Sequence, residues 1–209
     1  MPFEIIRDDI TNVQADAIVN AANTALQMGG GVCGAIFRAA GVQQLQQACD
    51  LIGNCQTGDA VLTPAFQLQA KYIIHTVGPV WRGGHKNERQ LLASCYKKSL
   101  QLAHANGCQS IAFPLISAGI YRYPKREALM VATSEIQAFL KQHDMHIILV
   151  VFEKEAVQLS NERYSEIKAY IDDQYVLEQP VRSLIEIEEQ IVESLEDVSE
   201  MVESVRSLE

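Results

Sequence analysis

The sequence predicts an α/β layered domain followed by an acidic helical tail. First, short runs rich in Ile and Val alternate with stretches of helical spacing. Second, Ile73-Ile74 and Ile147 to Val151 are apolar without interruption, as in strands buried on both faces. Third, the composition breaks near Pro180, beyond which acidic residues surround a single apolar stripe. Strand–helix alternation places a mixed central sheet between helical layers.

Taken along the chain, Phe3–Arg7, Ala17–Asn20, Ala60–Pro64, Tyr72–Val77, Ser110–Pro114 and His146–Phe152 read as strands. Val32–Ala40, Val42–Leu51, Asn87–Asn106 and Lys125–Gln142 read as helices, and a last helix over Glu155–Tyr170 closes the body. In Asn87–Asn106 the apolar residues fall mostly on one face, and Gly107 stops the helix. The division expected is a domain over 1–173, a linker over 174–180 and a tail over 181–209. In the tail, Leu184, Ile187, Ile191, Leu195, Val198, Val202, Val205 and Leu208 recur at steps of three or four. Two readings stand: a helix docked on its own domain or frayed, and a helix for a protein partner or self-association. The step from 191 to 195 breaks a strict heptad.

Composition narrows the classes. With 209 residues the chain fits one domain plus an appendage. No apolar run reaches the roughly 18 residues that span a bilayer, and the start lacks a signal peptide's basic and apolar regions. Five cysteines, an odd number without a CxxC pair, suit reduced thiols and a cytoplasmic location. No histidine pairs with them at zinc spacing, so no metal is expected. The net charge of −9 argues against general nucleic-acid binding. Residues 181–209 carry −7 of it, so the body is nearly neutral and does not repel a small anion. There is neither a Walker A sequence nor a GxSxG elbow.

Two turns carry the chemistry. Asp16–Asn23 delivers Asn20 and Asn23, then Gly29-Gly30-Gly31-Val32-Cys33 opens a helix. Backbone amides of a glycine loop at a helix N-terminus form an anion site, and the asparagine amides suit neutral hydroxyls. Pro114–Pro124 leaves a strand through Ser117-Ala118-Gly119-Ile120-Tyr121 and enters a helix at Pro124. Either turn alone is an ordinary strand–helix connection. Together at one sheet edge they suit a pyrophosphate.

On Asp8-Asp9-Ile10-Thr11, Asp16–Asn23, Gly29–Gly41, His75–Trp81 and Ser117–Pro124, the chain resembles the macrodomain family of ADP-ribose-binding modules, in particular its MacroD-like bacterial branch. The resemblance spans about residues 3–172. It implies a three-layer α/β/α fold and roles at matching positions. Asp9 would accept the adenine amino group, with Ile10 beside the base. Without the resemblance, a helix cap or turn residue is the commoner reading of an aspartate such as Asp9. Phe152 would stack on adenine, core packing being an equal alternative. Asn23 would bond the distal ribose and Tyr121 pack over it, with Ala22 alongside and Asn20 tying the loop to the sheet. Gly29, Gly30, Gly31 and Val32 would line one phosphate loop, and Ser117, Ala118, Gly119 and Ile120 the other.

This sequence departs from the family at four places: Asp8 for glycine, Cys33 for the aspartate thought to hold the attacking water, Phe37 for a histidine, and Arg122 for glycine. Catalytic roles are assigned to Asn23 and Cys33. A thiol is a poor general base unless its pKa is lowered, so a water oriented by the ligand's own phosphate is the expected nucleophile. The expected activity is hydrolysis of ADP-ribosyl esters, on modified Asp or Glu side chains or O-acetyl-ADP-ribose, without a cofactor. The alternative is a module that binds ADP-ribose or ADP-ribosylated protein without turnover. Among other residues, His75 reads as a satisfied core histidine and Arg82–His85 as a flexible surface loop.

Overall fold

Hydrophobic alternation along the central strands determines which residues face which helical layer. The computed structural model describes residues 3–151 and the backbone of 169–170. Strands are β1 (Phe3–Arg7), β2 (Ala17–Ala21), β3 (Ala60–Pro64), β4 (Tyr72–Thr76), β5 (Ser110–Pro114), β6 (His146–Val151) and β7 (Ala169–Tyr170). Helices are α1 (Gly31–Ala40), α2 (Val42–Ile52), α3 (Glu88–Ala105) and α4 (Lys125–Leu140), with a 3-10 turn over Ile10–Asn12. The expected elements up to β6 are all present with slightly shifted ends.

The sheet runs β3-β4-β2-β5-β6-β1-β7. Only β3 and β4 pair antiparallel, so the sheet is mixed. Ile18, Ile73, Ala112, Ile148 and Val150 join Ile36, Phe37 and Leu45 in the core under α1 and α2. The alternate residues face the other way, where Tyr96 of α3 stacks on Phe113 at 5.2 Å between ring centroids, and α4 packs on α3. This is the three-layer α/β/α arrangement expected. Carboxyl ends of β2, β5, β6 and β1 lie side by side, at the edge where ligands of such sheets bind.

One expectation is corrected. The helix over Glu155–Tyr170 does not reach its predicted end, because Ala169–Tyr170 pairs parallel with Ile5–Ile6 of β1. Without that partner β1 would leave a row of backbone groups unpaired at the sheet edge, and satisfying them outweighs local helical preference. Phe152, the remainder of that helix, the linker over 174–180 and the tail over 181–209 lie outside the described residues. All five cysteines are free and buried. Burial raises the thiols of Cys49, Cys55 and Cys95 to about 11, which keeps them protonated.

Candidate active site

A cleft of about 680 Å³ opens over the carboxyl ends of the central strands. The expected ligand residues among those described line it: Asp9 and Ile10 after β1, Ala22, Asn23 and Gly29 through Cys33 after β2, and Ser117 through Tyr121 after β5. Val151 lines it too, immediately before Phe152.

The first loop leads into α1 through Gly30, whose position at the helix start has no side-chain cap. Among the described residues, the amides of Gly29, Gly30, Gly31, Val32 and Cys33 find no acceptor in the protein. They sit where the helix dipole is positive. In the second loop the amides of Ser117, Gly119, Ile120 and Tyr121 likewise lack acceptors, whereas Ala118 donates to the Leu115 carbonyl at 3.3 Å. The buried Ser117 hydroxyl has no protein partner either. Two sets of donors therefore face one cavity whose only charged lining residues, among those described, are Asp8, Asp9 and Lys125. This arrangement suits an extended anion held through backbone rather than through side-chain cations.

Close packing sets the loops. A Cβ at Gly34 would come within 2.6 Å of the Gly29 carbonyl oxygen. One at Gly78 would come within 2.1 Å of Ser117 Oγ and 2.7 Å of Ile116 Cγ2. Only glycine lets α1 and the β4 loop approach their neighbours so closely. The Tyr96 hydroxyl donates to the Pro114 carbonyl at 3.4 Å and accepts from the Ile116 amide at 3.2 Å, anchoring the second loop. Ile120 Cδ1 reaches back to within 3.4 Å of the Cβ position on Gly30, so the two loops meet across the mouth.

At one end of the cleft, Asp9 is a cap, one of its two readings. Its Oδ1 caps the 3-10 turn, accepting from the Thr11 amide at 2.9 Å and hydroxyl at 2.8 Å. Its Oδ2 has no protein partner among the described residues.

At the other end, Asn23 clamps its own loop. Its Nδ2 donates to the Gln27 carbonyl at 2.7 Å, and its Oδ1 accepts from the Gln27 amide at 3.1 Å. One donor hydrogen and one lone pair remain for a ligand hydroxyl. Cys33 points its thiol at the same Gln27 carbonyl, 3.9 Å away, and accepts from Asn20 Nδ2 at 3.7 Å. Asn20, fully buried, ties the loop to the sheet as expected, and also donates to His75 Nδ1 at 3.0 Å. His75 Nε2 then meets Thr63 Oγ1 at 2.9 Å. Burial lowers the His75 pKa to about 4, so the ring is neutral, with its proton on Nε2 toward Thr63. Phe37 is buried against His75 and does not line the cleft.

Residues that support the site without lining it were missed from sequence. Gln46 of α2 accepts from the Met28 amide at 3.1 Å and donates to the Leu26 carbonyl at 3.3 Å. Asp50, one turn on, accepts from Gln46 at 2.9 Å and from Gln27 at 3.1 Å. Their i, i+4 spacing on one helix face was the available signal. Gly78 and Lys125 also line the cleft, and neither was assigned.

The loop after Trp81 corrects another expectation. It is organised around Glu88, whose carboxylate is buried and accepts from the amides of Arg82, Gly84 and Lys86. Burial opposes that charge, but the backbone donors outweigh it and hold the pKa below the usual carboxylate range. A loop with three amides fixed on one carboxylate has a defined shape.

Known proteins share this architecture. The macro domain family model matches residues 19–132. A macro domain-containing protein of Mesorhizobium japonicum is 52% identical over 153 residues, covering 72% of this chain and 86% of its own. The O-acetyl-ADP-ribose deacetylase of Salmonella typhimurium is 49% identical over 163 residues, covering 75% and 90%. Among solved structures, the Oceanobacillus iheyensis macrodomain with ADP superposes with a TM-score of 0.73 at 38% identity, covering 77% of this chain and 89% of that one. The Trypanosoma brucei macrodomain in complex with ADP-ribose gives 0.70 at 40% identity, covering 77% and 68%. With its amide-lined cleft at the carboxyl edge of a mixed sheet, and relatives this similar over most of their length, the chain belongs to the macro domain family.

Proposed function

We propose that this protein hydrolyses ADP-ribosyl esters, either O-acetyl-ADP-ribose or mono-ADP-ribosylated Asp and Glu side chains. The observation that carries this is the pair of facing loops whose amides lack acceptors on one cleft, Gly29–Cys33 in the first and Ser117, Gly119, Ile120 and Tyr121 in the second. A diphosphate held between them puts adenine toward Asp9 and Ile10 and the distal ribose toward Asn23, Cys33 and Tyr121. The Salmonella relative's named reaction, at about half identity, supports the same chemistry.

The geometry supports a substrate-assisted water. Among the described lining residues the carboxylates, Asp8 and Asp9, follow β1 and not the Asn23 loop. The thiol of Cys33 is engaged as a tie between Asn20 and the Gln27 carbonyl. The base nearest the anomeric carbon is then a phosphate oxygen of the ligand. The amides hold that phosphate still, Asn23 fixes the ribose hydroxyls, and orientation supplies much of the rate. On a side-chain ester at the anomeric carbon, water attacks that carbon, its proton passes to the phosphate oxygen, and the C–O bond to the departing carboxylate breaks; on the acetyl ester, water adds to the acyl carbon, and the ribose oxygen leaves and takes the proton from the phosphate. The protein acts in the cytoplasm, on ADP-ribose conjugates as its partners; the apolar stripe in the sequence over 181–209 suits either docking on its own domain or a protein partner or second copy.

Incubation with O-acetyl-ADP-ribose and with glutamate-linked ADP-ribosyl protein tests this, reading free ADP-ribose. Tight ADP-ribose binding without release from either would leave the binding-module reading, which Cys33 favours. Cys33→Ala should keep the rate and Cys33→Asp raise it. Loss of turnover in Cys33→Ala would instead make the thiol a participant.

A further inference from the structure

Beside the distal end of the cleft lies a cationic rim that the reaction does not use. The Trp81 amide donates to the Tyr121 carbonyl at 2.9 Å, and the rings of Trp81 and Tyr123 sit 4.7 Å apart. The segments around 82–89 and 119–126 are thereby locked together. Between them they expose Arg82, Lys86, Arg89, Arg122 and Arg126. None of the five makes an ion pair among the described residues. The acid best placed to neutralise them, Glu88, is buried and occupied by three backbone amides. Glu127 is the remaining acid of these segments. A chain of net charge −9 thus concentrates unpaired positive charge next to the cleft mouth.

Arg122 adds an independent observation. Its φ is +55°, a left-handed conformation in which glycine is unstrained. A cation held there at a conformational cost, next to Tyr121, is a residue kept for its side chain.

The geometry points to this rim as the docking surface for acidic polypeptide flanking the modified residue of an ADP-ribosylated protein, an inference that rests on the proposed esterase reading. The ester would enter beside Tyr121, and the chain carrying it must pass over the neighbouring surface. Exposed Val80 and Ile120, at 48% and 72%, flank the same mouth and suit peptide side chains. No exposed Trp, Tyr or Phe on these segments offers a stacking platform for bases, which disfavours nucleic acid as the occupant.

The test compares kcat/KM on a peptide whose ADP-ribosyl-glutamate is flanked by aspartates, on the same peptide flanked by serines, and on O-acetyl-ADP-ribose. The expected preference for the acidic flank is about tenfold at low salt, the lower end of electrostatic focusing, and it should fade as salt is added. In the triple variant Arg82→Gln, Lys86→Gln, Arg89→Gln, which leaves Arg122 and Arg126, the preference should fall severalfold, with O-acetyl-ADP-ribose turnover and ADP-ribose affinity unchanged. Equal rates on the two peptides, or an equal loss on O-acetyl-ADP-ribose, would overturn the assignment. So would a stronger rim-dependent preference for an ADP-ribosylated oligonucleotide. If no substrate turns over, the esterase reading fails alone. The Kd values of the same two peptides then decide for the rim if they differ and against it if they match.

Discussion

The two loops of the cleft present the same groups, free backbone amides, and hold them by opposite means. The first is built from permissive sequence, three consecutive glycines, and is braced by polar side chains: Asn23 on Gln27, Gln46 and Asp50 from α2, and Asn20 from the sheet below. The second carries more strain, with two non-glycine residues at positive φ against Leu26 alone in the first. Ser117 and Arg122 adopt φ of +65° and +55°, and packing keeps them there through Tyr96, Gly78 and Trp81. A loop with little conformational preference needs hydrogen bonds to define it, whereas a strained loop needs neighbours that leave it nowhere else to go.

Acid should separate the two most strongly. His75, under the first loop, has a folded pKa of about 4 against an ordinary 6.5. As pH falls the unfolded chain takes up the proton first, so stability is complete above about pH 6.5 and declines toward pH 4. The loss reaches about 3 kcal/mol. The second loop rests on the Tyr96 hydroxyl, which burial raises well above its ordinary pKa and keeps protonated throughout. Denaturation at pH 7 and pH 4.5 should show the decline in the wild type and a shallower one in His75→Gln. Parallel profiles would refute the assignment.

Steric tests come next. Gly34→Ala drives a methyl into the Gly29 carbonyl, which is backbone and moves only with the loop. It should cost about 1–3 kcal/mol of stability and weaken ADP-ribose binding by tenfold or more, read by calorimetry. Gly78→Ala meets side chains and no backbone, Ser117 Oγ and Cβ and Ile116 Cγ2, of which the hydroxyl can rotate away. Its effect should fall at or below the lower end of that range, and a larger loss than in Gly34→Ala would reverse the ranking.

Asn23→Ala removes both the loop clamp and the contact proposed to the ribose. A stability loss of about 1 kcal/mol is expected from the clamp, with turnover impaired more than binding. Equal losses would make Asn23 a binding contact alone. The smallest effect has the opposite sign: Arg122→Gly relieves the left-handed strain and should raise stability by up to about 1 kcal/mol. No gain in thermal unfolding would mean that the Arg122 side chain contributes packing of its own.

The sequence carried the layered fold and both amide loops because these depend on neighbours along the chain. Period-two and helical spacings mark the elements, and a glycine run before an apolar helix marks an anion site wherever it occurs. Long-range pairings carried no such local mark. That β1 needs a partner at its edge, that His75 and Cys33 join through Asn20, that α2 braces the first loop, and that Glu88 is withdrawn from the cations around it follow from chain segments brought together by folding. Such contacts are fixed by the summed packing of many residues, and no single stretch of sequence encodes them.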